Sequence, residues 1–145
     1  MLRTIASTLA LSIALTGSVS AENFDVQMLN RGDAGNMIFE PAFLRIAAGD
    51  TVTFLATDRG HNAESIPEMS PEGAEGFEGR INEEIVATFD VEGFYGVRCK
   101  PHYAMGMVMV IAVGEDTAAP DTFLEGRIPR GAKARFEEQL ASLAE

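Results

Sequence analysis

The sequence predicts a mainly β protein built as a sandwich of two sheets with a helical tail. Three observations predict it. Short β-branched and aromatic runs recur from Phe24 to Val113, turn residues separate them, and a helical period appears only near the end of the chain. Phe24 to Leu29 begins with the apolar–polar alternation of a half-buried strand, and Arg31-Gly32-Asp33-Ala34-Gly35-Asn36 turns the chain. Met37 to Glu40 and Phe43 to Ile46 read as strands separated by Pro41, which cannot donate to a ladder. After a turn at Gly49-Asp50, Thr51 to Ala56 is a β-branched strand. Asp58 to Asn82 is rich in Gly, Pro and Glu and reads as a long surface excursion. Ile85 to Phe89 and Phe94 to Arg98 flank a turn at Glu92-Gly93, and Met107 to Val113 is a nearly continuous apolar run, hence a central buried strand. This series suggests antiparallel sheets over residues 22–113. In the tail, residues 120–145, a short helical turn is expected at Pro120-Asp121. Phe136, Leu140 and Leu143 recur at helical spacing, so Gly131 to Ala144 reads as an amphipathic helix packed on the sandwich.

The first residues have a different purpose. Met1-Leu2-Arg3 is a short positive start, Ile5 to Leu15 is mostly apolar, and Val19-Ser20-Ala21 presents small residues for cleavage. Residues 1–21 are therefore expected to be a removable export signal, with the functional domain over 22–145 and the periplasm as destination. The apolar run is too short to span a bilayer, and no other stretch is long and apolar enough to do so. The whole chain has a formal charge of −11, and loss of Arg3 with the leader makes it one unit more negative. Nucleic acid, which requires clustered cations, is excluded as a general partner.

Cys99 is the sole cysteine, so an exported protein cannot protect it in an internal disulfide. It stands in Gly96-Val97-Arg98-Cys99-Lys100-Pro101-His102-Tyr103-Ala104-Met105-Gly106-Met107, between two expected strands. That loop can gather a thiol, an imidazole and a thioether around one point. His61, the other of two histidines, lies at the end of a different strand. Thiolate and thioether favour Cu(I), imidazole serves both oxidation states, and two imidazoles with a thiolate and a weak axial sulfur are the ligand set of electron-transfer copper. Two rival chemistries use the same residues. A Cys–His nucleophile would need an orienting Asn or Asp, a role into which Asn62 could be pressed, and would have no use for methionine. Zinc accepts Cys and His but takes methionine poorly.

Cys99-x-x-His102-x-x-x-x-Met107 with an upstream His61-Asn62 resembles the cupredoxin family. Asn36-Met37-Ile38-Phe39-Glu40-Pro41, Gly60 to Ile66, Pro71 to Glu75 and Cys99 to Met107 are similar to segments of pseudoazurins within it. The resemblance implies a Greek-key sandwich that holds one copper ion through His61, Cys99, His102 and Met107. Met105 offers the shorter spacing of amicyanin-type loops, but the pseudoazurin match runs through Met107. Asn62, Met37 and Pro101 are expected beside the metal without binding it. In that role Asn62 braces the ligand loops and Met37 lies near the exposed histidine. The family is not enzymatic. It implies a monomeric single-electron shuttle that exchanges with copper nitrite reductase or with c-type cytochrome-like donors and acceptors. His102 is the expected exit for the electron. Pseudoazurins usually ring the copper edge with lysines, whereas this chain has Lys100 and Lys133 only. Arg59, Arg98 and Lys100 are the expected docking cations, with the glutamates of the 58–82 segment behind them.

Overall fold

The computed structural model describes residues 20–116 and 118–144, so the expected signal of residues 1–21 lies almost wholly outside the described residues. Its strands are β1 (Asn23–Gly32), β2 (Gly35–Glu40), β3 (Phe43–Ile46), β4 (Asp50–Leu55), β5 (Glu64–Ser65), β6 (Ile85–Phe89), β7 (Gly93–Arg98) and β8 (Val108–Val113). One helix follows, α1 (Arg130–Ala141), with single 3₁₀ stretches at Pro67–Met69, Lys100–Met105, Asp121–Leu124 and Ser142–Ala144. Two four-stranded sheets form, ordered β2-β1-β4-β6 and β3-β8-β7-β5. The chain crosses between them at Pro41, whose nitrogen has no hydrogen for either ladder. The expectation of purely antiparallel sheets needs correction. β1 pairs parallel with β4, and β3 pairs parallel with β8, because each pair is joined by a crossover rather than a hairpin.

Strand β8 shows why its sequence is apolar throughout. Met109, Ile111 and Val113 point between the sheets, where they meet Val26, Met28, Phe39, Val52, Phe54 and Phe89. Val108, Val110 and Ala112 point the other way, onto Phe94, Phe123, Ala132 and Phe136. A strand buried on both faces cannot alternate. The tail is what covers its outer face. Phe136 of α1 is fully buried, with Leu140 and Leu143 half-buried beside it, as their spacing predicts. Burying one such aromatic stabilises the docked helix by roughly 2–3 kcal/mol.

The segment 58–82 departs from the expected surface excursion. His61 to Ile66 are all buried, and Glu64 and Ser65 pair with Arg98 and Val97 as an edge strand. Farther on, Phe77 returns to the core, stacked on Phe54 at 5.4 Å between ring centres. A two-residue strand has no readable period, so only side-chain burial reveals it.

Candidate metal centre

Cys99 directly follows β7 and Met107 directly precedes β8, so antiparallel pairing of Arg98 with Val108 places the two sulfur residues side by side. The Cys99 amide donates to the Met107 carbonyl at 3.0 Å. Between them the 3₁₀ stretch folds back so that the Met107 amide reaches the His102 carbonyl at 3.1 Å. Gly106 closes this turn at φ +89°, and a Cβ there would lie 2.8 Å from the Gly131 carbonyl oxygen of α1. Both the left-handed conformation and the close approach require glycine.

His61 is carried by the loop after β4. The Asn82 side chain accepts from the Gly60 amide at 2.7 Å, and the Asn82 amide donates to the His61 carbonyl at 2.8 Å. Its imidazole Nε2 lies 2.9 Å from Asn30 Oδ1. A neutral ring that donates there presents its Nδ1 lone pair to the other side. That nitrogen lies 3.0 Å from His102 Nδ1 and 3.7 Å from Cys99 Sγ, while His102 Nδ1 lies 3.5 Å from the same sulfur. A triangle with these sides has its centre about 2 Å from every corner, a bond length typical of imidazole nitrogen and slightly short for thiolate. The donor set therefore fits one metal ion. Met107, fully buried, supplies the thioether of this loop, whereas Met105 is 56% exposed.

Burial sets the electrostatics. It pushes the Cys99 thiol upward, reinforced by the Glu64 carboxylate and opposed by the Asn62 and His102 amides. It pulls His61 down, and His102 adds to this, with Asp58 opposing. The pocket thus favours a neutral imidazole and needs a cation to hold a thiolate. Among soft or borderline ions, the thioether argues for copper over zinc.

Asn62 is hydrogen-bonded on both sides: its Oδ1 accepts from the Lys100 amide at 2.7 Å and its Nδ2 donates to the Gly79 carbonyl at 3.0 Å. Met37 is half-buried against the core, and its carbonyl is held by Arg135 at 2.7 Å. Pro101 is exposed on the ligand loop. Of the docking cations, Arg59 is exposed and has no carboxylate within 4.0 Å among the described residues. Arg98 donates to buried Glu64 at 2.6 Å and lies over the Tyr103 ring, and Lys100 is 3.4 Å from Glu78. Glu64, expected with the other glutamates of a surface excursion, is in fact a buried partner of Arg98 and Asn62. Sequence reasoning missed Asn30, Asn82, Glu64 and Arg135. Arg135 of α1 also reaches the carbonyls of Gly106 at 2.9 Å and Asn36 at 2.8 Å. None of the four carries a sequence signal, since each acts on a partner distant in the chain.

Residues 26–114 match the family described as copper binding proteins, plastocyanin/azurin family. The chain is 40% identical to a pseudoazurin of Paracoccus pantotrophus over 139 residues, which covers 96% of each chain. The refined crystal structure of pseudoazurin from Methylobacterium extorquens superposes with a TM-score of 0.77 at 38% identity, covering 83% of this chain and 98% of that one. Native pseudoazurin from Hyphomicrobium denitrificans gives a TM-score of 0.75 at 40% identity, with 83% and 97% covered.

Proposed function

This chain belongs to the plastocyanin/azurin family of copper-binding proteins and, within it, to the pseudoazurins, which implies a blue copper electron carrier, and we propose that it shuttles single electrons between redox proteins of the periplasm. Copper supplies the one-electron couple when bound. His61, Cys99, His102 and Met107 would hold it. The observation that carries this reading is the triangle of two Nδ1 atoms and one Sγ, with sides of 3.0 to 3.7 Å, on a loop whose fully buried Met107 is hydrogen-bonded through its backbone to Cys99 and His102.

His61 is wholly buried, whereas His102 reaches the surface among Pro101, Ala104 and Met105. The electron therefore leaves through His102. Exposed Met105 with its small neighbours forms an apolar contact face suited to brief encounters. A copper nitrite reductase or a c-type cytochrome is the proposed partner class, and the carrier works as a monomer. Residues 1–21 direct it to the periplasm and are removed, leaving 22–145. Among the described residues no helix is long and apolar enough to cross a membrane.

Adding Cu(II) to the apoprotein should produce intense blue or green colour from a copper–thiolate bond, lost in Cys99→Ser without loss of fold. A colourless complex in the wild type would remove the electron-transfer reading. Stopped-flow mixing of the reduced protein with a copper nitrite reductase and with a c-type cytochrome then tests the partner class.

A further inference from the structure

The opposite end of the sandwich holds a buried carboxylate. Asp50, the first residue of β4, is 5% exposed. One carboxylate oxygen accepts from the Ala47 amide at 2.8 Å and the other accepts from the Glu22 amide at 2.8 Å. No Lys, Arg or His nitrogen lies within 4.0 Å of it among the described residues. Burying an unpaired charge is costly, and two neutral amide donors compensate only partly. Glu22 is also the residue that export processing after Ala21 would make the first of the chain.

We propose that Asp50 is the receptor for the N-terminal ammonium of the processed protein, so that cleavage of the Ala21–Glu22 bond turns a neutral hydrogen bond into an ion pair. This rests on the reading of residues 1–21 as a removable signal. In the cleavage, the peptide C–N bond breaks and water supplies the hydroxyl to the Ala21 carbonyl carbon. Its remaining hydrogen goes to the Glu22 nitrogen. Proton transfer then leaves an Ala21 carboxylate and a Glu22 ammonium at neutral pH. The new cation is already aimed. The Glu22 carbonyl accepts from the Thr51 amide at 2.9 Å, and Asn23 pairs with Thr51 at the start of the parallel β1–β4 ladder. The first residue is thus held on two sides without help from the leader. Arg45, Glu92, Glu115 and the Glu22 side chain line the same cleft. Arg45 turns its guanidinium onto the Gly114 carbonyl at 2.6 Å. The glutamates favour an ammonium there and Arg45 opposes it.

A processing site elsewhere would lose this pair. Starting the chain one residue earlier displaces the charge from Asp50, and starting it one residue later removes the donor. The folded state therefore rewards one cut among its neighbours.

The test compares full mature chains that begin at Glu22 with a free amine, begin at Glu22 with an acetylated amine, or retain Ala21 in front. Each is made with Asp50 and with Asp50→Asn, and urea unfolding is followed near pH 6.5. A hydrogen bond to a charged group exceeds a neutral one enough that the free-amine form should have an unfolding constant about tenfold lower than the other two. The Asp50→Asn background should erase that difference. Raising the pH through the amine's folded pKa should erase it as well, since a raised pKa gives stability that is lost upward. Equal stability of free and acetylated chains would overturn the proposal. If Asp50→Asn does not fold, NMR titration of the Glu22 amine decides: a pKa above the ordinary value of about 7.7–8.0 supports the pair, and an ordinary value refutes it. Intact mass of the exported protein tests the underlying reading separately. A first residue other than Glu22 would remove the processing role whatever the stability data show.

Discussion

Asn30→Ala isolates a contact that is invisible in the sequence. His61 is fully buried, so its ring cannot turn to solvent, and burial holds it neutral with a single N–H. Asn30 Oδ1, 2.9 Å from Nε2, decides where that hydrogen sits and leaves Nδ1 free toward Cys99 and His102. Truncating Asn30 strands the donor. A buried unsatisfied N–H costs about 1–3 kcal/mol, and because Asn30 itself is exposed, water can enter and keep the cost near the lower end. Removing the partner of a ligating histidine weakens metal binding about 10- to 100-fold, and the same water access places the expectation near tenfold, or about 1.4 kcal/mol. Competitive titration of Cu(I) with a coloured chelator measures it. Asn30→Asp keeps the acceptor and should keep wild-type affinity or better. Wild-type affinity and absorption in Asn30→Ala would refute the argument and mean that packing alone orients His61.

Four further outcomes are expected. Met107→Gln should retain copper and lower the reduction potential by more than about 59 mV, a tenfold shift toward Cu(II), while Met105→Gln leaves it in place; voltammetry compares the two. Phe136→Ala should cost about 3–5 kcal/mol in urea unfolding with the visible spectrum nearly unchanged, since the ring is fully buried but lies in the cluster outside the sandwich. Apoprotein stability should peak between the ordinary values of His61, 6.5, and Cys99, 9.0. The lowered histidine value loses stability as pH falls through it and the raised thiol value loses it as pH rises, which denaturation across pH reads directly. Arg59→Gln should slow transfer to an acidic acceptor about two- to threefold at low salt, and Arg98→Gln should slow it less, because Glu64 already offsets Arg98. Equal effects in stopped flow would mean that Arg98 leaves its partner on docking.

Most strands were legible because burial imposes a period on them. β8 reads as a central strand from its unbroken apolar run, and α1 from Phe136, Leu140 and Leu143. The parallel pairings were not legible, since local pattern records which face is buried and says nothing of a strand's neighbour. The ligand loop was legible because Cys99, His102 and Met107 are close in the chain and chemically unusual. Its supports are the reverse case. Asn30, Glu64 and Asn82 are common surface residue types, and their work depends on loops brought together from three parts of the sequence. The charge pattern misled for the same reason. Arg98 reads as a free cation until β5 is seen lying against β7, with Glu64 opposite it.

These supports bear on why such a site moves electrons. Fast transfer requires that the ligands shift little between oxidation states, so the protein and not the ion must hold them. Hydrogen bonds hold the segments that carry the proposed ligands. His61 is held by Asn30 and Asn82, Cys99 and His102 by the Met107 backbone, and the loop at Lys100 by Asn62. Arg135 adds a clamp from outside the sandwich. One guanidinium binds the Gly106 carbonyl at the end of the ligand loop and the Asn36 and Met37 carbonyls of β2. The close approach of Gly106 to Gly131 lets α1 come near enough to do so. The tail helix thus covers β8 and also fixes the loop that carries the thioether, so loosening α1 at Phe136 and cutting the clamp at Arg135 are separable perturbations. The first acts on stability, and the second acts on the position of Met107.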